Sequence, residues 1–201
     1  MARESRLMPE KQKERYLKHN NSIQNEGYVA FLESFIKPVL SFVQSNCGVT
    51  SACGGYIQRI LDYGSGPEPV LVELLNRYKK TGLLNEKCEI RGWDPFFAPD
   101  TLFFEGGADL VTCLEVAEHF ESPQEDFEKL ASCVRDGGFL AVGTMLLPSG
   151  GTDAFKGWWY RSDMTHTSFY SEEALRQVAA KTALVWVTSL NDRTFLFRKK
   201  A

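Results

Sequence analysis

After Tyr56 the sequence settles into an alternation of short apolar runs and helical stretches. The runs are Ile57–Leu61, Cys88–Trp93, Asp109–Leu114 and Phe139–Thr144; helical apolar spacing fills Val70–Tyr78 and Phe127–Val134 between them. Parallel strands can be joined only by crossovers long enough to hold a helix, so this order predicts an α/β fold with a doubly wound, mostly parallel sheet. The last two runs differ: Leu184–Leu190 and Thr194–Arg198 flank Asn191-Asp192-Arg193 and predict a closing antiparallel hairpin. Ser122, Pro123 and Glu125 form an expected capping box for the helix that Asp136-Gly137-Gly138 is expected to stop, and Ser171-Glu172-Glu173 is expected to open the last helix.

Residues 1–55 read as an N-terminal helical cap of the same domain, ahead of a core at 56–201. Val29, Leu32, Phe35, Ile36, Val39, Leu40 and Val43 recur at helical spacing, with Pro38 expected to kink or split the helix. The first 18 residues hold six Lys/Arg against three Asp/Glu, which leaves −6 for the rest of a chain whose net charge is −3. That acidic body argues against a nucleic-acid partner. Apolar runs of about six residues are far short of the roughly 20 that cross a bilayer, and no leader sequence is read, so no membrane is expected. Five cysteines without CxxC spacing argue against a disulfide framework or zinc ribbon, and a cytoplasmic location is the expectation.

The densest chemistry follows the first run. In Asp62-Tyr63-Gly64-Ser65-Gly66 an acid ends a strand and two glycines open a turn into a helix. Glycine lets the backbone approach a ligand, and a helix N-terminus offers N–H groups to an anion. A dinucleotide site would ask for a third glycine, but Pro67-Glu68-Pro69 stands there, and Asp62 suits a cationic ligand group rather than a pyrophosphate. A second acid, Asp94, ends the next run in Gly92-Trp93-Asp94-Pro95, where a carboxylate can accept two vicinal hydroxyls.

With Asp109–Phe120, which includes Glu115-Val116-Ala117-Glu118-His119, and the turn Arg135–Leu140, these segments resemble the class I S-adenosylmethionine-dependent methyltransferases, in register from about residue 56 to 198. The resemblance implies a Rossmann-like fold and S-adenosylmethionine as cofactor. It implies that Asp62, Gly64, Ser65 and Gly66 cradle the methionine end, that Asp94 holds the ribose, and that Pro95 and Leu114 complete the cofactor site. It also exposes a departure. Only fourteen residues separate Asp94 from Asp109, so one helix-strand unit is cut to something like Thr101–Phe104, and either Phe96 or Phe97 stacks on the adenine or both belong to the core.

Ligands of open α/β sheets sit beyond the carboxyl ends of the strands. Glu115, Glu118 and His119 lie at that rim, and His166 follows the next run at the same edge. Their donors suit a divalent metal such as Mg or Mn, which would hold hydroxyls and lower their pKa. The pattern resembles the metal site of small-RNA 2′-O-methyltransferases and a motif of quinone-biosynthesis O-methyltransferases. Without a metal, His119 or His166 is a candidate general base and Glu115 a further catalytic candidate.

The Trp-rich segment Gly157–Ser171 is read either as the acceptor pocket or as an aromatic plug over the sheet. It resembles a stretch of uncharacterised bacterial methyltransferase-like proteins, whose leading helix carries a His-Asn…Gly-Tyr element matched by His19, Asn20 and Tyr28. That likeness implies a lid with Tyr16 or His19 inside, against the alternative of helices packed on the sheet. The expected activity is methylation of an O or N atom on a small-molecule acceptor. The rivals are a catalytically silent cofactor-binding module, favoured by Glu68 and the shortened middle, and a nicotinamide-dependent oxidoreductase, disfavoured by Asp62 and the missing glycine. The acceptor and the oligomeric state are not encoded in any of these motifs.

Overall fold

The computed structural model describes residues 7–18, 21–46, 56–100 and 103–201. His19, Asn20 and the start of the shortened Thr101–Phe104 unit lie outside them.

Six strands form one sheet: β1 (Arg59–Tyr63), β2 (Glu89–Trp93), β3 (Ala108–Leu114), β4 (Val134–Gly143), β5 (Leu184–Ser189) and β6 (Thr194–Lys199). Their order is β2-β1-β3-β4-β6-β5. The first four are parallel, and β6 enters antiparallel between β4 and β5. Among the described residues no strand lies between β2 and β3, so β2 is the sheet edge, and its chain turns back at once through a bridge between Asp94 and Ala98.

Helices cover both faces. α2 (Glu26–Asn46) and α3 (Val70–Lys80) pack on one, where Phe35, Ile36, Val39, Leu71 and Leu75 meet Ile60, Leu110 and Ala141. α4 (Pro123–Cys133) and α6 (Glu172–Ala180) pack on the other, where Phe127, Leu130 and Leu175 meet Val111, Leu140 and Phe197. Strand residues alternate between the two clusters because successive side chains point to opposite faces. α1 (Pro9–Tyr16) and the short α5 (Gly151–Gly157) lie outside this double layer, each with no buried residue. No helix of the described residues is long and apolar enough to cross a membrane.

Several local expectations shift. α2 runs unbroken through Pro38, because six buried side chains anchor it and the Ser34 carbonyl that Pro38 leaves without a donor is on an exposed residue. β1 starts two residues later than the apolar run, since the N–H groups of Gln58 and Arg59 donate to Asp109 Oδ2 at 2.8 Å instead of to a strand. Ser122 does cap α4 by position, but the capping box does not form: the Asp126 carboxylate, not Glu125, accepts the Ser122 N–H at 3.2 Å. The helix passes straight into β4 at Val134, and Asp136-Gly137-Gly138 becomes an irregularity within that strand. Ser171 caps α6 as expected, accepting the Ala174 N–H at 3.1 Å.

Candidate active site

A cleft of about 750 Å³ opens along the carboxyl ends of β1, β2 and β3, and residues from α1, the α2 start, the Trp-rich segment and the β5–β6 turn complete it. Gly64, Ser65, Gly66, Asp94, Pro95, Leu114, Glu115, Glu118, His119 and His166 all line it. Asp62 does not. Its carboxyl is buried beneath the glycine loop, accepts the Thr112 hydroxyl at 2.9 Å, and is pushed up to about 7 by burial, with Asp94 adding to the rise. Glu68 faces solvent outside the cleft.

The glycine half is tightly built. Gly64 and Gly66 have φ of 86° and 71°, a region where other residues are strained. The Gly64 and Ser65 N–H groups donate to Trp93 O at 2.7 and 3.0 Å. Gly66 N–H donates to Asp94 Oδ2 at 3.0 Å, while Asp94 Oδ1 accepts from Phe96 and Phe97 at 2.8 and 3.2 Å. Asp94 therefore ties together the loops after β1 and β2. A carboxylate has about four acceptor directions, so one remains for a ligand hydroxyl. Phe96 and Phe97 line the cleft half-buried, with Tyr16 beside Phe96 and Lys13 over Phe97.

At the other half, Glu118, His119 and His166 bring one ligand atom each within 4.8 Å of one another. The Nδ1 of His119 lies 3.0 Å from Thr165 O and that of His166 2.7 Å from Tyr160 O. A carbonyl only accepts, so each Nδ1 is the nitrogen that donates there, and His119 Nε2 lies 3.9 Å from Glu118 Oε1. Glu118 is buried; its Oε2 accepts the Thr144 hydroxyl at 2.9 Å, and its Oε1 has no hydrogen-bond partner. Burial raises the Glu118 carboxyl, while burial and then the neighbouring His119 lower His166 to about 4.

Glu115 is not brought into that trio. Its Oε1 pairs with Arg193 Nη2 at 3.1 Å and its Oε2 lies 3.4 Å from the Tyr160 hydroxyl, so the expected four-residue metal set shrinks to three. The cause is the β5–β6 turn, which delivers Arg193 to the cleft. By sequence Arg193 is only part of the hairpin turn and Tyr160 only one aromatic of the Trp-rich segment, so neither is singled out as a partner of Glu115.

The Trp-rich segment divides between the interior and the cleft. Trp158, Tyr160 and Tyr170 are buried, and Trp158 packs on Phe155 and Phe169 as a plug; Trp159 is 67% exposed and lines the cleft. The leading helices divide the same way. α2 packs on the sheet, whereas Gln12 and Tyr16 of α1 line the cleft, with the Tyr16 hydroxyl 3.3 Å from His119 Nδ1.

Residues 9–188 match the family model for the methyltransferase domain. No curated protein matches the sequence. Solved structures share the fold. An O-methyltransferase family 2 protein from Planctomyces limnophilus, in complex with apigenin, has a TM-score of 0.52 at 18% identity, covering 89% of this chain and 66% of that one. An O-methyltransferase family protein from Burkholderia thailandensis has 0.54 at 15%, covering 94% and 63%. Magnesium protoporphyrin IX methyltransferase from Synechocystis PCC 6803, with bound S-adenosylhomocysteine, has 0.54 at 13%, covering 95% and 94%. The chain thus spans less than two thirds of the length of the first two.

Proposed function

The chain belongs to the methyltransferase-domain family, and from that premise we propose that it transfers a methyl group from S-adenosylmethionine to an oxygen or nitrogen of a small-molecule acceptor, with a divalent metal assisting at a hydroxyl. The observation that carries this reading is the shared cleft: a glycine loop and a ribose-competent acid at one half, and a carboxylate with two oriented imidazoles at the other.

S-adenosylmethionine, when bound, supplies an electrophilic methyl on a sulfonium, and the protein's task is alignment of the nucleophile with that methyl and removal of its proton. Gly64 and Gly66 let the backbone pass close to the cofactor, Asp94 accepts from a ribose hydroxyl, and Phe96 or Phe97 offers a face to the adenine. Trp159 borders the acceptor end.

The residues also fit a metal. Glu118 has a buried oxygen without a hydrogen-bond partner, 3.9 Å from His119 Nε2, and both histidines have Nδ1 held by a carbonyl. Lowered to about 4, His166 is neutral near pH 7, which suits a ligand better than a general base. Two imidazoles and one carboxylate favour Mn over Mg, whose preference is for oxygen. Held by Glu118, His119 and His166, the ion would acidify a hydroxyl of the acceptor. Cys88, Cys113 and Cys133 are free and buried, in keeping with work in the reducing cytosol.

Thermal denaturation tests the reading. S-adenosylmethionine and S-adenosylhomocysteine should raise the Tm and NAD(P) should not. Mn should raise it further in the native chain and not in His166→Ala. Stabilisation by NAD(P) alone would sink the methyltransferase reading, and an Mn response that survives His166→Ala would sink the metal.

A further inference from the structure

The methionine end of S-adenosylmethionine carries a carboxylate and an ammonium, and the cleft must receive both. The usual receiver of a carboxylate, the N–H groups of the glycine loop, is occupied here. Gly64 and Ser65 donate to Trp93, Gly66 donates to Asp94, and Pro67 and Pro69 have no N–H to give. The rest of the lining makes the problem sharper, since six carboxylates border the cleft against two cations, Lys129 and Arg193. An anion entering such a cleft is repelled unless it meets positive charge. Lys129 is 67% exposed and pairs with Asp126 along its own helix.

Arg193 is placed differently. Its backbone is fixed by the Thr144 N–H, which donates to Arg193 O at 3.1 Å, and by its own N–H, which donates to Asn191 Oδ1 at 2.9 Å. Its guanidinium lies 5.5 Å from the Phe31 ring centre and gives one N–H to Glu115. Glu115 follows β3 directly, its N–H donating to Gly143 O at 2.8 Å, and the next residue, Val116, abuts Gly64. The ion pair therefore stands one strand away from the glycine loop. Its side chains are 36% and 32% exposed and border the cleft. Arginine has five N–H donors and a carboxylate about four acceptor directions, so a pair joined by one bond keeps most of its capacity for a ligand. Glu115 is also the one non-glycine residue with positive φ, 52°, among the described residues.

We infer that Arg193 and Glu115 form a subsite for the amino-acid end of the cofactor, the guanidinium receiving the carboxylate and the Glu115 carboxylate the ammonium. This rests on the S-adenosylmethionine reading above. It gives the hairpin turn a role in cofactor binding and takes Glu115 out of the metal set.

Ligand truncation tests it. S-adenosylhomocysteine and 5′-methylthioadenosine share the adenosine and the thioether, and only the first has the amino-acid end. By calorimetric titration of the full chain, Arg193→Ala should weaken S-adenosylhomocysteine by about tenfold or more, as for a lost charge-assisted pair, and leave methylthioadenosine unchanged. Arg193→Lys should recover part of the loss, and Glu115→Gln should weaken the same ligand alone. Equal losses on both ligands overturn the inference. Native protein that binds neither ligand refutes the S-adenosylmethionine reading itself; native binding that Arg193→Ala leaves intact refutes only the subsite.

Discussion

Arg15 on α1 and Asp163 in the Trp-rich segment form a forked ion pair across the cleft, with Nη2 2.6 Å from Oδ2 and Nε 3.0 Å from Oδ1, between residues 148 apart in sequence. Asp163 is held well below the usual carboxylate range by Arg15 and by the Thr165 hydroxyl and N–H, which together outweigh its burial. α1 has no buried residue, so this pair is a main tie holding it over the site.

Arg15→Ala should free α1 at little cost to global stability, about 1 kcal/mol or less, because the arginine side chain is 44% exposed and screened. Trypsin cleavage at Lys11 and Lys13 should accelerate and the Tm should barely move. A large fall in Tm with unchanged proteolysis contradicts the tie.

Gly64→Ala meets two obstacles. A β-carbon there would lie 2.3 Å from Val116 Cγ2, and φ is 86°. The backbone strain alone is worth about 1–3 kcal/mol. Val116→Ala should cost less in the Gly64→Ala background than in the native chain, as measured by chemical denaturation, because it relieves the clash but not the strain. Strict additivity would show that the clash is not felt.

Asp94→Ala removes the acceptor of the Gly66, Phe96 and Phe97 N–H groups as well as the expected ribose contact. Affinity for S-adenosylhomocysteine should fall by about tenfold or more and stability by about 1–3 kcal/mol. Unchanged affinity in a titration contradicts the ribose role.

Asp62 sets a pH dependence of the opposite sign to a typical acid. Its carboxyl is raised from 3.8 to about 7 in the fold. Between those values the folded chain keeps a proton that the unfolded chain has released, so stability contributed by this group falls as pH rises and the penalty is complete above the folded value. Asp62→Asn retains an acceptor for Thr112 and removes the charge. It should be more stable than the native chain near pH 8, by at most about 4 kcal/mol, with the advantage fading toward pH 4. A Tm difference independent of pH contradicts this.

Much of the fold is written in local pattern. The strand and helix order follows from apolar spacing, and the glycine loop and Asp94 follow from which residues end β1 and β2. These features need only a few neighbouring residues, so periodicity and turn chemistry reveal them. Even the truncated middle is a matter of chain length, since fourteen residues cannot supply both a helix and a strand.

The electrostatic wiring of the cleft is different. Glu115 and Glu118 look equivalent at a spacing of three, yet one turns at positive φ to Arg193 and the other is buried against Thr144. Asp62 looks exposed to ligand, yet it lies under the loop against Thr112. Arg193 reaches Glu115 from 78 residues away, and Arg15 reaches Asp163 from 148. Residue type and spacing determined the sheet, the glycine loop and the rim on which polar side chains gather. Which of those side chains pair, and which face the ligand, was decided by the packing of distant segments, because a charge is directed by whatever the folded chain sets beside it.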